Sequence, residues 1–150
     1  MKFKRIYRSI FILPYAIPAF VSVLVWKGIL NPDYGVVNAW LSPIYELLDV
    51  EPIRWFLTKD SSRAAVLLVN TWLGFPYMFL ITTGALQSIP KELTEAAKVD
   101  GATGIQSFWK ITLPLLMVSI SPLLIGAFAF NFNNFTLVFL LTGGGPPVVG

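Results

Sequence analysis

An all-α membrane protein is the fold class this sequence predicts, on three observations. The 150 residues are 55% hydrophobic and only 13% charged, against roughly 45–50% apolar and about 25% charged in an ordinary soluble domain. Residues 9–26, 64–90 and 111–150 carry no charged side chain, and a hydrocarbon core of ~30 Å needs about 20 helical residues to cross it. The basic residues, finally, are unevenly shared among the connecting segments. Three transmembrane helices fit, over about 9–30, 64–86 and 113–142, with an external loop over 31–63 and a cytoplasmic loop over 87–112.

The orientation comes from that uneven sharing. Lys2, Lys4, Arg5 and Arg8 precede the first span, and Lys91, Lys98 and Lys110 fall between the second and third, whereas 31–63 holds Arg54, Lys59 and Arg63. Seven basic residues against three put the N-terminus inside, because cytoplasmic loops carry the excess of Lys and Arg.

The first span has to be weighed against a signal peptide, since "MKFKRIYR" before an apolar run resembles a charged n-region. The run reaches Leu30 with only Lys27 interrupting, and no A-x-A site closes it, so a span is the better reading. Pro14 and Pro18 predict kinks within it.

In the external loop, Val36, Val37, Trp40, Leu41, Ile44, Leu47 and Leu48 recur at helical spacing. Ser42-Pro43 is suited to restart a helix as N-cap and first residue. Short helices on the outer membrane surface are expected there; packing against further protein is the alternative.

Cysteine and histidine are both absent. Disulfides, zinc sites of the usual ligand set and Ser/His or Cys/His catalysis are therefore excluded. The chain shows no internal repeat or linker and reads as one membrane domain. Three spans offer little interface for burying polar groups, so a piece of something larger is expected.

Between the second and third uncharged runs stands "ELTEAAKVDGATGIQSFWKITLP". Pro90 suits a first helical turn, Glu92 and Glu95 complement the helix dipole, and Gly101 is placed to end the helix. Leu93, Ala96, Ala97 and Gly101 share a face nearly bare of bulk, which would let another backbone come close. Thr103 with Gln106 makes a capping box that starts the next helix, which runs past Trp109 at the inner interface. An ordinary amphipathic connector would also account for these features.

Glu95-Ala96-Ala97, three residues, Gly101, nine residues, then Ile111-Thr112-Leu113-Pro114 resembles the EAA loop of permease subunits in binding-protein-dependent ABC importers. "ILPYAIPAF", "VNTWLGFPYMF", "DGATGIQSFWKITLPLL" and "FAFNFNNFTLVFLLTGGGP" are similar to the maltose and maltodextrin branch, so the likeness covers nearly the whole chain. The resemblance implies that Glu95, Ala96, Ala97, Asp100, Gly101, Ile111, Leu113 and Pro114 seat the loop in a cleft of a cytoplasmic ATPase. It further implies a second permease subunit, an external sugar-binding protein, a bacterial inner-membrane location, and ATP with magnesium held by the ATPase. Consistent with that division, the chain has no GxxxxGK[ST] phosphate loop of its own. Neither a resident cofactor or metal nor a nucleic-acid partner is expected.

In the second span Asn70, Leu73, Gly74 and Tyr77 fall at i, i+3, i+4 and i+7, one stripe with an amide, a phenol and a gap. Amides pair with sugar hydroxyls and an aromatic ring accepts a pyranose face. Asn131 and Asn134 are expected to share a face of the third span. Interhelical glue is the competing reading for these amides; the resemblance implies that the positions line a sugar site. Ala127 departs from the pattern, standing where the maltose permeases have a serine, so the sugar need not be maltose itself.

Two other classes compete. A secondary transporter usually couples through intramembrane carboxylates, and the three spans contain no Asp or Glu. A non-transporting membrane anchor protein is the other alternative. An intramembrane enzyme would lack a base or metal ligand.

Overall fold

The computed structural model describes residues 3–145, with side chains from Ile6 onward. Lys2, the side chains of Lys4 and Arg5, and the terminal stretch 146–150, on which part of the orientation and of the third uncharged run rests, lie outside the described residues. Every regular element among the described residues is helical. The chain divides into two compact units, one of Met1–Pro76 with Asn134–Gly150, the other of Tyr77–Asn133.

The first unit opens with α1 (Phe3–Ile12), a 3₁₀ turn (Leu13–Ala16) and α2 (Ala19–Ile29). The two arms of this apolar stretch are bent by 94°, so the first expected span is continuous only if both arms count together. Proline is the cause. Pro18 has no N–H to continue the helix, and it forces Ile17 before it into an extended conformation, φ −103° and ψ 131°.

α3 spans Val36–Leu48 and is one helix, not the short helices expected from Ser42-Pro43. Pro43 cannot donate to the carbonyl of Ala39 four residues back. The Ser42 hydroxyl donates to that carbonyl instead, at 2.9 Å, and the helix runs through. α4 (Lys59–Ser88) is long and apolar enough to cross a membrane; its first part belongs to this unit, as does α8 (Phe135–Thr142).

The core of the first unit is Val23, Leu30, Trp55, Ala65, Val69, Leu137 and Leu141, with Trp26, Val37, Phe56, Val66, Leu73 and Leu140 packed around it. α2 and α8 pack together, and the Lys27 ammonium donates to the Leu140 carbonyl at 3.2 Å, near the electronegative C-terminal end of α8. Edge-to-face rings, Phe11 on Phe75 and Trp26 on Trp72, tie α1 and α2 to α4.

The second unit carries the remainder of α4, then α5 (Lys91–Val99), α6 (Gly104–Ser107), a π turn (Phe108–Thr112) and α7 (Leu113–Phe132). Residues 104–132 form the second helical stretch long and apolar enough to cross a membrane. The third span was expected to reach 142, but α7 stops at Phe132. Asn134 begins α8 afresh, its side-chain oxygen accepting from the Leu137 N–H at 3.2 Å. An asparagine that prefers capping to helix interior therefore cuts the uncharged run in two. Leu67, Val118, Ile125 and Phe128 leave large apolar side chains uncovered, as suits helices solvated by lipid rather than water.

Candidate functional site

Two groups of residues bear on function, the polar loop between α4 and α7 and the amide-bearing stripe of the apolar helices. The loop is shaped by local chemistry. Pro90 stands at the N-cap of α5, one position before the first turn expected for it, and Glu92 lies in the first turn. At the other end the Ala102 N–H donates to Ala97 at 2.8 Å and the Gly101 N–H to Lys98 at 3.0 Å, the paired bonds of a Schellman ending. Gly101 closes it at φ +83°. Nothing lies within 4 Å of where its Cβ would stand, so within this chain the glycine answers a backbone need rather than a steric one.

The capping box forms as the spacing predicts. The Gln106 N–H donates to Thr103 Oγ1 at 3.3 Å, and Gln106 Oε1 accepts from the Thr103 N–H at 2.9 Å. Just beyond, the Leu113 N–H reaches five residues back to Phe108 rather than four. Pro114 gives the reason: it has no N–H for the Lys110 carbonyl, and its ring would crowd that carbonyl in a regular α turn.

α5 packs on α6 and on the π turn. Ala97 and Ser107 are the buried residues of these two helices, so part of the small-residue face turns inward and brings the elements close. Glu95 and Ala96 stay exposed. Asp100, Gly101 and Ile111 line a common open hollow of about 360 Å3 with Ala102, Gln106, Ser107 and Lys110. Leu113 is half-buried and Pro114 exposed. The single ion pair among the described residues is Arg63 with Asp60 at 3.8 Å, so Glu92, Glu95 and Asp100 keep their carboxylates available. Val99 and Ile105, 88% and 74% exposed, are uncovered apolar side chains of the loop that spacing alone did not single out.

On α4, Asn70, Leu73, Gly74 and Tyr77 remain on one unbroken helix. Leu73 leans onto the first unit's core, nothing occupies the space a Cβ at Gly74 would fill within 4 Å, and Tyr77 is 38% exposed. Asn131 and Asn134 do not share a helical face, because α7 ends between them. The Asn131 amide donates to its own helix at Ala127, 2.7 Å away, and its oxygen has no partner among the described residues. Asn134 has the opposite arrangement, its oxygen engaged in the cap and its amide N–H groups without an acceptor among the described residues.

The fold and the loop define a class: a helical membrane component whose apolar helices are joined by a folded polar knob. Along residues 1–150 the chain matches the family described as binding-protein-dependent transport system inner membrane component, and it belongs to that family. It is 49% identical over 150 residues to the maltose/maltodextrin transport system permease protein MalF of Salmonella typhimurium, covering 100% of this chain and 28% of that protein. To MalF of Escherichia coli it is 48% identical over 147 residues, 98% of this chain and 28% of the relative. A solved bacterial ABC transporter involved in the import of the acidic polysaccharide alginate matches with a TM-score of 0.73 at 24% identity, over 94% of this chain and 52% of that one, a likeness of fold alone. The chain thus spans little more than a quarter of the length of these curated relatives.

Proposed function

We propose that this chain forms part of the permease subunit of an ABC sugar importer, contributing to a path for maltodextrin-like oligosaccharides and taking its drive from a cytoplasmic ATPase through α5, α6 and the π turn. The observation that carries the reading is the loop: Schellman ending, capping box and π turn make a folded knob with exposed apolar side chains and with carboxylates that form no ion pair among the described residues. A floppy connector would need none of these. The kinship to maltose and maltodextrin permeases supports the sugar class.

In this reading the partners are a second permease (MalG-like), ATPase subunits (MalK-like) that hold ATP and magnesium, an external sugar-binding protein and membrane lipid, and the N-terminus lies in the cytoplasm. In the first unit Asn70 and Asn134 offer amides and Gly74 a gap to a sugar, and in the second Tyr77 offers a phenol and Asn131 an accepting oxygen. ATP hydrolysis is the partner's chemistry; this chain transmits motion and passes substrate.

Uptake of a series of maltooligosaccharides by the intact permease, reconstituted with its partners and external binding protein, tests the proposal. ATP-dependent accumulation of one or more of them is expected. Ion-gradient-driven uptake without ATP would overturn it in favour of a secondary transporter, and no uptake by an assembled complex would favour an anchor role.

A further inference from the structure

We propose that the outward stripe of α3, formed by Val36, Trp40, Ile44 and Leu47, lies in the lipid interface, making α3 a membrane-surface helix of the permease. At 100° per residue these four positions fall within about 80° of one another around the helix axis. All four are exposed, Trp40 80% and Leu47 83%.

The helix has three sides, and each has a different environment. Asn38 and Tyr45 face the first unit and are buried. The Asn38 amide donates to the carbonyls of Pro32 at 3.1 Å and Ile53 at 2.9 Å, and its oxygen accepts from Tyr45 at 3.2 Å and Trp55 at 3.0 Å. That network fixes the rotation of α3, so the stripe cannot turn inward without breaking it. A second side carries Ser42 and Glu46, both exposed. Adjacent apolar and charged strips on the uncovered part of one helix suit a position half in lipid and half in water. Protein cover over the whole outward surface would bury Glu46, which makes no ion pair among the described residues.

The position of α3 along the chain puts it at the right depth. Only residues 30–35 separate it from α2, and that turn is tight: Asn31 Oδ1 accepts from the N–H groups of Asp33 at 2.9 Å and Tyr34 at 3.2 Å. A Cβ at Gly35 would come within 2.3 Å of the Asn31 carbonyl and 2.5 Å of that of Ile29, so α3 starts hard against the end of α2. On its far side the chain enters α4 through Lys59, Asp60 and Arg63, and the uncharged run begins only at Ala64. α3 thus lies between the end of the first uncharged run at Trp26 and the start of the second at Ala64, the stretch in which interfacial tryptophans are expected. This placement needs the chain to be a membrane component and is independent of which sugar it carries.

A nitroxide scan tests it, in a permease whose cysteines outside these 150 residues, which themselves hold none, are replaced by serine. Single cysteines at positions 40, 42, 44, 46 and 47 of the full permease, in its complex and reconstituted in vesicles of phosphatidylethanolamine and phosphatidylglycerol, are spin-labelled. Accessibility to oxygen relative to a water-soluble nickel chelate should be several-fold higher at 40, 44 and 47 than at 42 and 46. Low accessibility to both reagents at 40, 44 and 47 would mean protein cover, and high chelate accessibility there would mean open water; either overturns the proposal. Should a labelled variant fail to assemble, Trp40→Phe decides: brominated lipids should quench a smaller share of tryptophan fluorescence in that variant than in the parent, and an unchanged share overturns it.

Discussion

Trp55 donates its indole N–H to the side-chain oxygen of Asn38 at 3.0 Å, and both residues are buried. Asn38 uses all its capacity: two donors on two backbone carbonyls, and one oxygen shared by a phenol and an indole. Leaving a buried donor or acceptor unpaired costs about 1–3 kcal/mol. Asn38→Ala orphans several groups at once and should destabilise the permease by at least about 2 kcal/mol, whereas Trp55→Phe leaves one acceptor with a remaining partner and should lose less. Thermal unfolding of the detergent-solubilised protein ranks the two. Equal stability of Asn38→Ala and parent would contradict a structural role for this network.

Pro43 inside α3 makes the opposite kind of prediction. Proline is about 3 kcal/mol less favourable than alanine in a helix interior, and here the Ser42 hydroxyl offsets part of that by bonding the Ala39 carbonyl. Pro43→Ala should raise the unfolding temperature, Ser42→Ala should lower it, and in the Pro43→Ala background the loss from Ser42→Ala should nearly vanish. A double-mutant cycle measures the coupling.

Features set by residues three or four apart were legible in the sequence. The Thr103–Gln106 capping box and the left-handed Gly101 fall where the pattern puts them, since both depend on local backbone chemistry. The break at Asn133-Asn134 was hidden within an uncharged run that reads the same whether helical throughout or cut in two. Pro14 and Pro18 foretold a kink, but not a bend of 94°. Asn38 was not singled out because its partners lie between six and 17 residues away, beyond what periodicity carries. Ser42-Pro43 misled in a different way: it is as good a helix start as a patch over a missing hydrogen bond, and tertiary anchoring through Asn38 and Tyr45 decided between them.

Orientation is tested by impermeant thiol reagents on single cysteines placed at Lys98 and Asp49. The excess of basic residues on one set of loops predicts that position 98 is modified only from the cytoplasmic side and position 49 only from the external side. Modification of both from one side would contradict the topology.

Tyr77→Phe and Asn131→Ala separate sugar contact from helix packing. Neither the Tyr77 hydroxyl nor the Asn131 oxygen has a hydrogen-bond partner among the described residues, and the Asn131 amide nitrogen bonds within its own helix, at Ala127, so the two substitutions should leave assembly unchanged and thermal stability nearly so. If they meet sugar, each change should weaken recognition by about 1–3 kcal/mol, read as a raised half-saturating concentration that differs among oligosaccharides. A less stable complex with unaltered sugar selectivity would assign them to packing instead.

Coupling of this chain to an ATPase through the knob made by α5, α6 and the π turn turns on Gly101, which ends α5. The most direct measurement is retention of the ATPase subunit by tagged, intact permease carrying Gly101→Val or Gly101→Asn. At φ +83° a β-branched residue is strained by about 1–2 kcal/mol, while asparagine tolerates the left-handed region. Gly101→Val should lose ATPase retention and ATP-driven uptake, Gly101→Asn should keep most of both, and sugar binding by the external receptor should be the same in all. Full retention and coupled uptake with Gly101→Val, in a variant whose α5 ending is shown to be altered by amide exchange at residues 101 and 102, would contradict it.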